Sequence, residues 1–188
     1  MKPHWPAAGM TDRLAVPAAG EPHGKHTNHV QTKMVYATVI EMLEQSGAAF
    51  RIHEHLPVTT MDEANEKVPH LTRNLLKTVV FRIKHADWIL AAVKGSDRIH
   101  YKKLADAVGV KRTDLRSIAP DQVESGLGFE VGGGGPFKVR KDIRVVFDDT
   151  LRCVGTVFCG SGKNTRTVEI RISDLMRLSG GRVFPICK

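Results

Sequence analysis

The run Leu75-Leu76-Lys77-Thr78-Val79-Val80-Phe81-Arg82-Ile83 constrains this chain more than any other stretch, because it places one lysine at the edge of an apolar, β-branched segment. Such a segment reads as a strand buried on at least one face. A lysine at its mouth either snorkels to water or meets an anion. A second stretch, Val131-Gly132-Gly133-Gly134-Gly135-Pro136-Phe137, could supply a backbone-lined pocket opposite Lys77. Consecutive glycines let the main chain approach a ligand more closely than a loop with side chains can. A flexible turn is the bland alternative.

A chain of 188 residues, 41% of them apolar, can hold one domain with a proper core and a tail. No apolar run approaches the roughly 20 residues that span a bilayer, and the N-terminus lacks the apolar segment of a signal peptide. A soluble, cytoplasmic protein without a membrane partner is expected. Cys153, Cys159 and Cys187 form no CxxC pair, so they read as reduced thiols rather than a disulfide framework or zinc ribbon. The net charge of +8 divides into −2 over residues 1–72, +7 over 73–116, −3 over 117–137 and +6 over 138–188. Two basic segments thus flank a base-free, glycine-rich loop. That is an electrostatic footprint for a polyanion, although a solvated basic surface gives the same count.

Residues 1–30 carry Pro3, Pro6, Pro17 and Pro22 among His4, His23, His26 and His29, without strand or helix periodicity, and read as a disordered extension ahead of a single domain at 31–188. None of these histidines has metal-ligand spacing. Val35, Tyr36, Val39, Ile40 and Leu43 recur at helical spacing, with Thr32 as N-cap and Gly47 in the C-terminal capping position. Alternation from Ala49 to His55 predicts a strand on which His53 and His55 share a face, either a polar face or a pair of metal ligands. Thr60-Met61-Asp62-Glu63 has capping-box form and opens a short helix to Val68.

Val79 to Ile83, a turn at His85-Ala86-Asp87, and Trp88 to Val93 predict an apolar hairpin that should be central. Tyr101 to Val108, closed by Gly109, and Pro120 to Glu124 read as helices, with Lys102, Lys103, Lys111 and Arg112 clustered nearby. Ile143 to Phe147, Cys153 to Phe158 and Thr167 to Ile172 read as strands, and Ser173 as the cap of a last helix bearing Leu175, Met176 and Leu178. The irregular order predicts an α+β fold with a mixed, mostly antiparallel sheet flanked by helices. There is no GxSxG elbow and no Ser-His-Asp or Cys-His set.

Five motifs follow one another: His53-Glu54-His55-Leu56-Pro57-Val58-Thr59-Thr60; Leu76-Lys77-Thr78-Val79-Val80-Phe81; Gly132-Gly133-Gly134-Gly135-Pro136-Phe137; Val146-Phe147-Asp148-Asp149-Thr150-Leu151; and Gly160-Ser161-Gly162 with Thr167-Val168-Glu169-Ile170. In this order they resemble the YbaK/prolyl-tRNA synthetase-associated domain family. The resemblance implies an aminoacyl-tRNA deacylase, acting in trans or as a synthetase insertion, that hydrolyses the ester joining a wrong amino acid to the 3′ end of a tRNA. Cys-tRNA(Pro) and Ala-tRNA(Pro) are the types of substrate implied. Also implied are no metal or cofactor, the tRNA acceptor end and prolyl-tRNA synthetase as partners, and no DNA.

By that resemblance the family's essential lysine falls on Lys77 and its GxxxP loop on Gly132 to Pro136. His55, Thr60, Thr78, Gly132, Gly133, Gly134, Gly135, Pro136, Gly160, Ser161 and Gly162 are expected around the substrate. An ammonium near the ester or terminal phosphate would orient the acceptor end and offset its charge. Because the ester is already activated, positioning a water or a nucleophile of the substrate itself can supply most of the rate. Gly135 stands where the family often has serine and Lys138 where it often has glycine, and both changes are expected to touch the pocket. Lys77-Thr78 looks more like the Cys-tRNA(Pro) branch, and Glu54-His55 with Pro57-Val58 more like the alanine-specific branch. The alternative is a module that binds tRNA or a synthetase without chemistry.

Overall fold

β2 (Leu76–Ile83) and β3 (Trp88–Lys94) form the central hairpin, with Leu76 opposite Lys94 and Arg82 opposite Trp88. The computed structural model of the chain describes residues 26–84 and 86–188, so His4, His23 and the turn residue His85 lie outside the described residues. β4 (Leu115–Ser117) pairs antiparallel with β2, while β5 (Ile143–Asp148) and β8 (Arg182–Phe184) extend the sheet in parallel beyond β3, giving the order β4-β2-β3-β5-β8. β1 (Phe50–Glu54), β6 (Thr156–Gly160) and β7 (Arg166–Arg171) make a second, antiparallel sheet in the order β1-β7-β6.

The α+β class and the mostly antiparallel pairing are as expected; the division into two sheets is the difference. Its cause lies on the edge of β2. There β4 occupies the stretch Phe81 to Ile83, leaving β6 to join only at the beginning of the strand. Phe158 N donates to Asn74 O at 3.1 Å, and Asn74 Nδ2 donates to Thr156 O at 3.0 Å.

β3 is buried from Trp88 to Val93 because both of its faces are covered. Trp88, Leu90 and Ala92 join a core with Val39 and Leu43 of α1 (His26–Gln45), Val123 and Leu127 of α5 (Pro120–Leu127), Val157, Val168, and Leu175 of α6 (Ile172–Leu178). Ile89, Ala91 and Val93 face a second core with Leu104, Ala105 and Val108 of α4 (Tyr101–Val108). A third cluster, Ala64 of α2 (Met61–Lys67), Leu71 of α3 (Pro69–Thr72) and Val68 between the two helices, packs with Leu75 and Phe158 where the sheets meet.

Several boundaries depart from expectation. α1 begins at His26, so Thr32 lies inside the helix rather than capping it. Thr60 does cap α2, its hydroxyl accepting from Glu63 N at 3.1 Å, and Gly109 closes α4 at φ 76°. A 3-10 turn, Asp149–Cys153, replaces the start of the strand expected from Cys153, because the Asp148 carboxylate caps it by accepting from Thr150 N. Ser173 sits within the first turn of α6. β4, β8 and α3 are too short for periodicity to register. Among the described residues no helix is long and apolar enough to cross a membrane.

Candidate active site

Where the two sheets meet, a cavity of about 400 Å³ opens between β2, α2, the glycine loop and the β6–β7 turn. Met61, Val68, Leu71, Leu76, Val80 and Val123 make part of its wall apolar, and Lys77, Thr78, His55 and Thr167 are polar residues of the same lining. Thr78 Oγ1 is buried without a hydrogen-bond partner among the described residues. An orphaned buried hydroxyl costs about 1–3 kcal/mol, which a ligand offering a partner would recover.

Lys77 is half-buried, and its Nζ donates to Gly95 O at 3.2 Å and Asp97 O at 2.7 Å. An ammonium has three donors, so one remains for a ligand. The two carbonyls belong to the β3–α4 loop, which the C-terminal segment braces: Lys188 N donates to Arg98 O at 3.1 Å and His100 N to Ile186 O at 2.7 Å. Asp148 holds that segment in turn. Its Oδ2 accepts from Ile186 N and Cys187 N, each at 2.9 Å, and its Oδ1 from the Thr150 amide and hydroxyl.

Side-chain atoms of Asp97, Asp148 and Cys187 lie within 4.8 Å of one another. With both Asp148 oxygens engaged by donors of the chain itself, this trio works as a structural clamp. Burial pushes the Asp148 carboxyl up, but the hydrogen bonds from Thr150, Ile186 and Cys187 outweigh it and hold the group below the usual carboxylate range. Because the folded value is the lower one, the stability it confers is complete above the ordinary carboxylate pKa and lost as pH falls through the folded value. Asp148→Ala should therefore cost on the order of 3 kcal/mol in chemical denaturation at neutral pH, from several orphaned buried donors. The gap to wild type should narrow in acid; a gap independent of pH would refute the clamp.

Burial raises the Cys159 thiol far above its ordinary value, and burial together with the Asp148 carboxylate pushes Cys187 up to about 12. Neither supplies a thiolate nucleophile at neutral pH. Cys153 is exposed. An alkylating reagent at about pH 8 should therefore label Cys153 alone in the folded protein, read by peptide mass. Rapid labelling of Cys187 would contradict this placement.

The glycine loop and the β6–β7 turn pack backbone against backbone. Gly162 N donates to Gly133 O at 2.8 Å, Glu130 N to Gly162 O at 3.0 Å, and Asn164 N to Glu130 Oε2 at 2.8 Å. Gly132 adopts φ +85°, and a Cβ there would meet Thr59 Cα at 2.5 Å. Of the residues expected around the substrate, His55, Thr60, Thr78, Gly132, Gly134 and Gly160 line the cavity together with Lys77.

The other expected residues, Gly133, Gly135, Pro136, Ser161 and Gly162, are buried behind that lining. Ser161 Oγ donates to Arg166 O at 2.8 Å and ties the turn together, and a Cβ on Gly162 would press on Val35 at 3.1 Å. The expectation that Gly135 and Lys138 touch the pocket is corrected as well. Gly135 is buried against Gly160, and the exposed Lys138 is not part of the lining.

His55 Nδ1 donates to Leu56 O at 2.7 Å, which leaves Nε2 to accept from the Thr167 hydroxyl at 2.9 Å. His53, on β1 just before it, pairs with Glu169 at 2.6 Å and is not part of the cavity wall. Sequence reasoning missed Glu130, Lys163, Asn164, Arg166 and Thr167 as lining residues. Lys163 and Arg166 come after the Gly160-Ser161-Gly162 turn in sequence, but no local pattern sets them apart from ordinary solvated cations.

The architecture recurs in solved structures. The chain superposes on the hypothetical protein APE2540 with a TM-score of 0.71 at 20% identity, covering 80% of this chain and 99% of that one. On a candidate trans-editing enzyme for prolyl tRNA synthetase the TM-score is 0.68 at 24% identity, with 82% and 97% covered. In sequence it is 28% identical over 130 residues to the uncharacterized protein YwhH of Bacillus subtilis, spanning 69% of this chain and 81% of that protein. It is 24% identical over 116 residues to proline–tRNA ligase of Brachyspira hyodysenteriae, 61% of this chain but 20% of the ligase. The profile of the aminoacyl-tRNA editing domain matches residues 55–178. With the cavity from His55 to Thr167 lying wholly inside that match, the chain belongs to the aminoacyl-tRNA editing domain family.

Proposed function

We propose that the protein hydrolyses the ester of a mischarged aminoacyl-tRNA, acting in trans on a substrate of the Cys-tRNA(Pro) or Ala-tRNA(Pro) type. The observation that carries this reading is Lys77, a residue of the wall of a mainly apolar cavity, whose ammonium is held by the Gly95 and Asp97 carbonyls with one donor to spare. Water adds to the ester carbonyl, or, in a cysteinyl substrate, the side-chain thiol adds first and forms a thiolactone that water later opens. The bond to the terminal ribose then breaks, and the ribose oxygen takes a proton. Negative charge builds on the carbonyl oxygen, and a fixed cation stabilises it more than it stabilises the ground state. His55 Nε2 and the Thr167 hydroxyl, in contact at the same wall, can pass the proton.

The apolar wall suits a small aminoacyl side chain, and the similarity to a proline–tRNA ligase supports the tRNA acceptor end and prolyl-tRNA synthetase as partners. Incubating the protein with mischarged tRNAs, including Cys-tRNA(Pro) and Ala-tRNA(Pro), and following release of the amino acid tests the reading. Hydrolysis of a mischarged member at a rate well above spontaneous deacylation is expected. No hydrolysis of any member, with tRNA binding retained, would replace the enzyme by a binding module.

A further inference from the structure

Lys163, on the β6–β7 turn, and Arg166, the first residue of β7, line the cavity on different elements from Lys77. Both lie against one aromatic ring of α1, with Lys163 Nζ 5.0 Å and Arg166 Cζ 5.8 Å from the centroid of Tyr36. Arg166 pairs with Glu54 at 3.0 Å, but that carboxylate is 71% exposed and can be exchanged at little cost. Lys163, half-buried, has no carboxylate partner among the described residues. A half-buried cation held on a ring beside a second cation, at a cavity wall, is arranged to meet an anion that the chain does not itself provide.

The turn is also fixed in advance. Val58 N donates to Asn164 O at 2.9 Å, His55 N to Thr165 O at 3.0 Å, and Asn164 Nδ2 to Val131 O at 3.3 Å. The turn is thereby tied to the glycine loop and to the β1–α2 connection, so little ordering is left to binding. From these contacts we infer that Lys163 and Arg166, steadied by Tyr36, form a subsite for the phosphodiester on the 5′ side of the terminal nucleotide. The inference rests on the reading of Lys77 as the group at the ester. Ester and phosphodiester are separated by one ribose, so a cavity that holds the first at β2 must hold the second at another wall. Phosphate suits the pair: the guanidinium offers a planar fork of donors, and the ammonium adds a point charge.

A double-mutant cycle on binding tests this without depending on turnover. The probe is a hairpin RNA of acceptor-stem sequence ending in CCA, made with a natural last linkage or with an uncharged methylphosphonate there, and its affinity is read by fluorescence anisotropy. For the wild-type protein, neutralising the linkage should weaken binding about tenfold, the scale of one charge-assisted contact. Lys163→Gln should weaken binding of the natural RNA by a similar factor, lower the salt slope by about 0.7, and be indifferent to the methylphosphonate. Arg166→Gln should show the same non-additivity. Losses that simply multiply, or a wild-type protein that does not distinguish the two RNAs or does not bind them, would overturn the subsite. Hydrolysis of mischarged tRNA by the same preparation is scored separately. Coupling without hydrolysis would leave the subsite standing and remove the enzymatic reading, and hydrolysis without coupling would do the reverse.

Discussion

Replacing Lys77 by alanine should lower single-turnover deacylation of the responsive mischarged tRNA about 10²- to 10³-fold, the usual effect of removing one preorganised charge-stabilising donor. The loss should fall on kcat and kcat/KM alike, because the interaction strengthens as charge gathers on the carbonyl oxygen and is weak before. Stability should change little. The side chain is half-buried, and the Gly95 and Asp97 carbonyls it releases belong to a loop with exposed residues at Ser96 and Arg98, where water can replace the ammonium. Lys77→Arg should restore little activity: a planar guanidinium cannot place one donor on each carbonyl and a third on the substrate as a tetrahedral ammonium does. Full turnover in Lys77→Ala with an unchanged melting temperature would remove Lys77 from the mechanism. Equal losses of turnover and of thermal stability would make its role structural.

Lys77 is legible because a cation in an apolar, β-branched run is an anomaly that composition alone exposes, and the β2–β3 hairpin is legible for the same reason of pattern. The basic corner of Lys163 and Arg166 is not. Two cations after a turn look like ordinary solvated side chains, and what distinguishes them is Tyr36, more than 120 residues away in sequence and adjacent only in space. The split into two sheets is illegible for a different reason. It depends on β4, a three-residue strand that occupies one end of the β2 edge and leaves β6 the other. Asp148 stands between these cases. Its motif was visible in sequence, but its work as a clamp depends on amides at Ile186 and Cys187 that no local pattern connects to it.

The glycine run shows the limit most sharply, since glycines announce a close approach without saying what approaches. Gly134 and Gly135 are neighbours in sequence and should respond oppositely to the same added methyl group. A Cβ on Gly135 would overlap the Gly160 carbonyl oxygen and come within 2.9 Å of its carbon; both are backbone atoms of a strand end and cannot rotate away. Gly135→Ala should therefore cost at least about 3 kcal/mol, the upper range for overpacking, and activity should fall with the folded fraction. Gly135→Ser, which installs the residue the related pattern often carries, should be no better tolerated here.

A Cβ on Gly134 meets nothing within 4 Å, and Gly134 lines the cavity. Gly134→Ala should keep the wild-type denaturation midpoint yet lower kcat/KM for aminoacyl-tRNA roughly tenfold, because the methyl group holds the substrate away from the loop backbone. Matched denaturation curves and deacylation rates for the two variants decide the matter. Gly135→Ala with a wild-type midpoint would mean that the loop and the β6–β7 turn can move apart. Gly134→Ala with wild-type activity would mean that the substrate does not approach the loop, leaving β2 and the Lys163 turn as the walls that hold it.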